Sequence, residues 1–227
     1  MGKFNIIFNK VSISQELTSR DFFVELVKNE YLDINGWGFS SVNLVDSKIV
    51  SAILLKKTIA YYRVWNETTG EMERQSYNMI KEIPFYIDFE KSLLAVEGNV
   101  SNMNLVKQIM RKLFWKVFIY NTLSITVFDF LSYFYNDNIL KNIEELTIMD
   151  FHYNNYFLGK YTARLMEPLI DINVLAEYKL SLAKIKATLR FEDEDIIFTA
   201  TNHKNIMISC SENTKYDFFK YLTTKLF

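Results

Sequence analysis

Between residues 83 and 114 the apolar side chains change from strict alternation to helical spacing, which commits the chain to a fold holding both sheet and helix. Phe85, Ile87 and Phe89 alternate with Tyr86, Asp88 and Glu90, so one face of a strand is apolar and the other polar. Glu90-Lys91-Ser92 interrupts the run and residues 93–97 resume it, predicting a hairpin with one face on a core and Pro84 at its start. After Gly98, with Ser101 or Asn102 placed to cap, Met103, Val106, Ile109, Met110, Leu113 and Phe114 recur as a helix stripe. The opposite face carries Lys107, Gln108, Arg111 and Lys112, with Lys116 one turn on and no acid between them. A solvated face and an anion-binding face both fit that pattern.

The flanking sequence extends the same grammar. Phe4, Ile6 and Phe8 alternate as a first strand, and Thr18 with Asp21 opens a helix over residues 19–31 through a capping box. Asn35-Gly36-Trp37-Gly38 reads as a turn whose glycines also suit close backbone approach. Residues 39–97 then read as a meander of antiparallel strands, with a turn at residues 66–70. On the strand over residues 49–65, Ile59, Tyr61, Arg63 and Trp65 share one face. Rings interleaved with arginine suit a single-stranded nucleic acid, because bases stack on the rings while guanidinium meets phosphate. A packed face with a snorkelling arginine is the alternative.

Beyond the central helix, β-branched Ile125, Thr126 and Val127 predict a strand over residues 123–130, followed by a short helix over 139–146 and a strand over 147–153. Pro168 suits the first position of a helix that continues through Ile170, Val174, Tyr178, Leu182 and Ile185. Three short strands at residues 187–191, 196–200 and 206–209 precede a last helix capped by Ser211 or Asn213. Strands followed by a helix thus occur twice, around residues 84–114 and 186–227.

Composition narrows the classes. With 49% hydrophobic and 23% charged residues the chain is of globular type, and a net charge of −1 confines any polyanion binding to local patches. Cys210 is the one cysteine, which excludes an intramolecular disulfide and a thiolate zinc site, and the N-terminal residues lack a signal-peptide pattern, so a cytoplasmic setting is expected. The most apolar window, residues 113–135, holds only twelve uncharged residues between Lys116 and Asp129, short of the roughly 20 a spanning helix needs. No membrane association is expected. Abundant Phe, Tyr, Asn, Ile and Lys fit an AT-rich coding sequence of bacterial, phage or mobile-element type.

Catalytic signals are sparse. Glu192-Asp193-Glu194-Asp195 has hard-metal ligands without the glycine and spacing of a calcium loop, and suits a solvated turn. Asp171 with Glu177-Tyr178-Lys179 is similar to the acid, acid-x-lysine arrangement of restriction-like nucleases, which implies magnesium held by the carboxylates. In that family the acid-x-lysine lies on a strand, whereas here it falls in a helical pattern. Asp88-Phe89-Glu90-Lys91 sits on a strand but has no upstream acid to match. His152 and His203 lack a second ligand at metal spacing, Asp150 with His152 shares a strand face, and Cys210 reads as a buried small hydrophobe. No nucleotide-binding glycine loop occurs, and no cofactor or metal is expected.

The expected fold is therefore α+β, an antiparallel sheet with helices on one face and two similar strand-plus-helix units, divided as residues 1–122 and 123–227 or merged into one domain. The expected function is non-enzymatic binding of DNA or RNA through Lys107, Arg111, Lys112 and Lys116 or through Tyr61, Arg63 and Trp65. Further local cations are Lys56 and Lys57, and Lys184, Lys186 and Arg190. The alternatives are a subunit that docks a protein partner or another copy of itself, and a metal-dependent nuclease.

Overall fold

The apolar opening of the chain forms strand β1 (Gly2–Ile13), along which Ile6, Ile7, Phe8 and Val11 are buried. The structure, a computed structural model, describes residues 2–14, 17–115, 117–121, 124–154, 157–165, 172–202 and 205–225. Two densely packed units divide the chain, Asn9–Asn121 on the one hand and Met1–Phe8 with Thr122–Phe227 on the other. Both are built mostly from antiparallel strands, as an α+β protein requires.

In the unit of residues 9–121, Thr18 and Asp21 form the expected capping box at helix α1 (Ser19–Lys28), each side chain accepting from the other's backbone amide. Phe22 and Leu26 point inward. The meander follows as β2 (Trp37–Val45), β3 (Ile49–Asn66), β4 (Glu71–Asp88) and β5 (Leu93–Glu97), whose order is β2-β3-β4-β5-β1. Helix α2 (Val100–Leu113) starts one turn earlier than expected, with Asn99 as its cap, and buries Met103, Val106, Ile109 and Met110. Strand β6 (Phe118–Asn121) then pairs with the last residues of β1. Phe22 stacks on Phe114 and meets Phe118 edge-on, fixing the end of α2 against the start of β6.

Gly36 bends the chain at φ +65°, as a turn glycine should, but Gly38 has a different task. A Cβ there would lie 2.3 Å from the Tyr31 Cα, because Phe39 accepts from the Tyr31 amide and donates to the Asn29 carbonyl. The close approach that glycine permits is thus to the chain's own backbone, and it fixes the start of β2 and therefore Trp37. Gly38→Ala is expected to destabilise the protein by about 1–3 kcal/mol, as overpacking against backbone does. A urea midpoint equal to that of the parent protein would refute it.

Pairing between β3 and β4 continues to Asn66 opposite Glu71, well past the last buried residues, Leu54 on β3 and Ile83 on β4. From Ile59 outward nearly every side chain is exposed, so the outer halves form a solvated two-stranded arm roughly 23 Å long. Pro84 lies inside β4, opposite Ile53, not at its start.

The second unit has the strand order β1-β11-β10-β9-β7-β8, using β7 (Leu140–Asn154), β8 (Phe157–Arg164), β9 (Leu182–Phe191), β10 (Glu194–Thr201) and β11 (Asn205–Cys210). Its helices are α3 (Val127–Asn136) and α4 (Glu212–Lys225). Three expectations change here. The predicted strand over residues 123–130 gives way to α3, because Thr126 and Asp129 build a capping box. The short helix over 139–146 belongs instead to β7. The helix expected from Pro168 is a 3₁₀ helix at Ile172–Tyr178 followed by β9; Pro168 itself lies outside the described residues.

The acids of this unit serve the fold. Glu194 accepts from the Ser211 amide and from the Ser211 and Thr214 hydroxyls at the start of α4, while Asp195 holds Lys141 and Arg190. Of the expected turn over residues 192–195, Glu192, at φ +52°, and Asp193 form the turn, while Glu194 and Asp195 already belong to β10. Glu144 pairs with Lys186, and Glu145 with Lys184 at 2.6 Å. Hydrogen bonds from Thr214 and Ser211 hold the Glu194 carboxyl below its ordinary range, and those from Lys184, Lys186 and Lys141 do the same for Glu145, Glu144 and Asp195. Depressed carboxyl values stabilise the folded state above the unfolded value and lose that contribution as pH falls through the folded one. Melting temperature is therefore expected to hold from pH 8 to 5 and to drop below about pH 4. Far-UV circular dichroism melts that stay flat to pH 3 would contradict this.

Candidate functional site

Amphipathic spacing decides what α2 offers. With its stripe of Met103, Val106, Ile109 and Met110 on the sheet, Lys107 is left half-buried and Gln108, Arg111 and Lys112 exposed. Lys107 and Arg111, one turn apart, bring their charged groups to 5.1 and 5.4 Å from the centre of the Tyr120 ring. Burial and the neighbouring Arg111 charge lower the Lys107 pKa. The Tyr120 hydroxyl is buried without a hydrogen-bond partner among the described residues, and burial pushes its pKa far up, so the ring is neutral. Lys112 reaches the other way and sets its ammonium 4.8 Å from the centre of the Trp37 ring, a cation–π contact.

Between α2 and the β2–β3 pair lies an open groove of about 770 Å³. Leu105 and Ile109 floor it, Trp37 and Trp115 wall it, and Lys56, Arg111 and Lys112 supply its charge. Lys56 enters because it is the cross-strand neighbour of Trp37. Its sequence neighbour Lys57 points to the opposite face and is bound by Asp33 at 2.8 Å. No carboxylate among the described residues lines the groove or lies within ion-pair distance of Lys56, Arg111 or Lys112. Trp115 is 75% exposed.

The arm carries the second expected surface. Tyr61 and Trp65 are each 57% exposed and Arg63 is exposed as well, so the packed-face alternative does not hold. Register adds Ser76, Arg74 and Met72 opposite Tyr61, Arg63 and Trp65. Arg74 lies 3.7 Å over the Tyr61 ring. The direct Arg63–Arg74 pairing is of like charges, which a strand pair tolerates at a cost. Glu71 and Glu73 fall on the other face, with Val64 and Tyr62.

Alternation along β3 places Lys56 on the α2 side and Tyr61, Arg63 and Trp65 on the other side, so the two expected surfaces do not merge. What completes the basic face of α2 is Trp37, Lys56 and Trp115. Lys56 stands out in the sequence as a local cation and Trp37 as part of a turn; their convergence depends on strand register. Lys116 lies outside the described residues. Lys184, Lys186 and Arg190 are taken up by Glu145, Glu144 and Asp195.

The nuclease-like residues do not assemble among the described ones. Lys179 is bound to Asp129 at 2.9 Å, Glu177 sits exposed in the 3₁₀ helix, and Asp171 and His203 lie outside the described residues. No group of three His, Cys, Asp or Glu side chains among the described residues is arranged to hold a metal ion. Cys210 is buried, and burial raises its pKa, which makes it a poor nucleophile. Among the described residues no helix is long and apolar enough to cross a membrane. Comparison with known protein families finds no matching family, and comparison with curated proteins finds no match either.

Proposed function

We propose that this chain is a non-enzymatic, cytoplasmic protein that binds DNA or RNA, with the α2 groove as its principal contact. The observation that carries the reading is the groove's composition: Lys56, Arg111 and Lys112 beside Trp37 and Trp115 with no carboxylate among the described residues, in a chain of net charge −1. A neutral protein attracts a polyanion only where its cations escape neutralisation, and here they do. Aromatic walls add a surface on which bases stack. Fluorescence anisotropy with labelled single- and double-stranded DNA and RNA, run across a salt titration, tests the reading. Binding that weakens linearly in log–log form with salt supports it; no binding at low salt refutes it.

A second reading, docking of a protein partner or another copy of the chain, is favoured by the arm alone. Ile59, Val64, Met72, Met79 and Ile80 are exposed there, spread over its two faces, as apolar side chains that a partner would cover. Under that reading the purified protein self-associates in light scattering or retains a partner whose capture requires the arm.

A further inference from the structure

We propose that the α2 groove takes one unpaired nucleotide, its base against the Trp37 and Trp115 rings and its phosphate among Lys56, Arg111 and Lys112. This rests on the nucleic-acid reading and deepens it by naming the form of ligand. The cations alone would suit any phosphate, in duplex or single strand. The tryptophans discriminate, because in a duplex each base face is covered by its neighbours, whereas an unstacked base offers a free face to an aromatic ring. About 770 Å³ falls inside the roughly 300–1,000 Å³ typical of small-ligand sites, which is volume enough for a single nucleotide. Lys112 strengthens the case, since its ammonium sits 4.8 Å from the Trp37 ring centre and so holds a phosphate close to the aromatic wall. Trp115, at 75% exposure, leaves its ring open to a base without any rearrangement of the core.

The same chemistry can arrive as part of a strand or as a free mononucleotide, and the test separates these. In the full chain, Trp65→Phe silences the arm and leaves Trp37 and Trp115 as the emitting tryptophans, since the sequence has three. Oligothymidylate, a duplex of equal length and thymidine monophosphate are titrated in turn at low salt. Saturable quenching by the oligomer, with little from the duplex, is the expected result; quenching by the monophosphate at equal or lower concentration assigns the site to free nucleotide. Trp115→Ala, at an exposed position, is expected to weaken oligomer binding about tenfold while leaving the melting curve unchanged. Oligomer binding seen by anisotropy without quenching, or unaffected by Trp115→Ala, or equal quenching by the duplex, overturns the groove as a nucleotide site and leaves nucleic-acid binding standing. Absence of any anisotropy change with every nucleic acid overturns the functional reading itself.

Discussion

Charge reversal at Lys56, Arg111 and Lys112 is expected to lower nucleic-acid affinity by about 100-fold at 0.1 M salt and to flatten its salt dependence. The magnitude follows from counterion release. Each phosphate contact on a single strand contributes roughly 0.7 to the slope of log affinity against log salt, so three contacts are worth about two logarithmic units at 0.1 M. The slope should fall by about 2 for a single strand and by nearly 3 for a duplex. Stability should survive the change. Arg111 and Lys112 occupy the last turn of α2, where cations complement the helix dipole, and losing that interaction costs about 0.3–1 kcal/mol at each position, against about 5–15 kcal/mol for a whole domain. Far-UV circular dichroism should confirm a folded variant. Affinity equal to that of the parent protein, measured by anisotropy over the same salt range, would reject the α2 groove as the contact surface. Because Tyr61, Arg63 and Trp65 lie on the opposite side of β3, they remain intact in the variant and serve as an internal comparison.

The parts of the fold legible in the sequence are those encoded over one turn of chain. Thr18 and Asp21 announce α1 because a capping box needs only four residues. Thr126 and Asp129 make the same box, yet the β-branched residues around them argue for a strand, and the cap decides the outcome. At residues 139–146 the helical spacing of Ile139, Leu140, Ile143 and Leu146 arises from a different source. Bulges between Leu140 and Asn142 and between Ile143 and Glu145 break the two-residue period of β7, so apolar side chains recur three apart while the backbone stays extended. A bulge is specified by the partner strand, which local sequence does not contain.

The candidate site divides along the same line. Spacing along α2 reveals Lys107 and Arg111 on one side, since four residues return the helix to the same side, with Lys112 one residue further round. Trp37 and Lys56 meet only through the β2–β3 register, and Trp115 joins them only because Phe114 and Phe118 lock onto Phe22. Likewise, alternation alone gives Tyr61, Arg63 and Trp65 a common face, but whether that face is packed or solvated depends on where the cover over β3 ends. Net charge conceals the groove for a related reason. Lys184, Lys186 and Arg190 read like the α2 cations in sequence, and only their carboxylate partners on β7 and β10 set them apart.

Replacing Phe134 with alanine is expected to cost about 3–5 kcal/mol, enough to consume much of a domain's margin of about 5–15 kcal/mol. Phe134 is fully buried on α3. Its ring meets Phe198 of β10 edge-on at 4.7 Å and has both Phe218 and Tyr221 of α4 at 6.4 Å. Truncation therefore empties a space bounded by three elements and removes an edge-to-face contact worth about 0.5–1.5 kcal/mol beyond burial. Collapse into that space is opposed by polar anchors: the Tyr221 hydroxyl donates to Asp137 at 2.7 Å, and Lys225 binds the same carboxylate at 2.7 Å. Moving α4 inward would break both. Phe134→Leu, which keeps most of the volume, should cost under about 1.5 kcal/mol and so separates cavity from ring chemistry. The measurement is urea denaturation followed by far-UV circular dichroism, since Trp37, Trp65 and Trp115 all lie in the unit of residues 9–121 and report on that unit. An alanine variant within 1 kcal/mol of the parent would mean that the helices yield despite those anchors, and the aromatic cluster would then be filler for this core and not its framework.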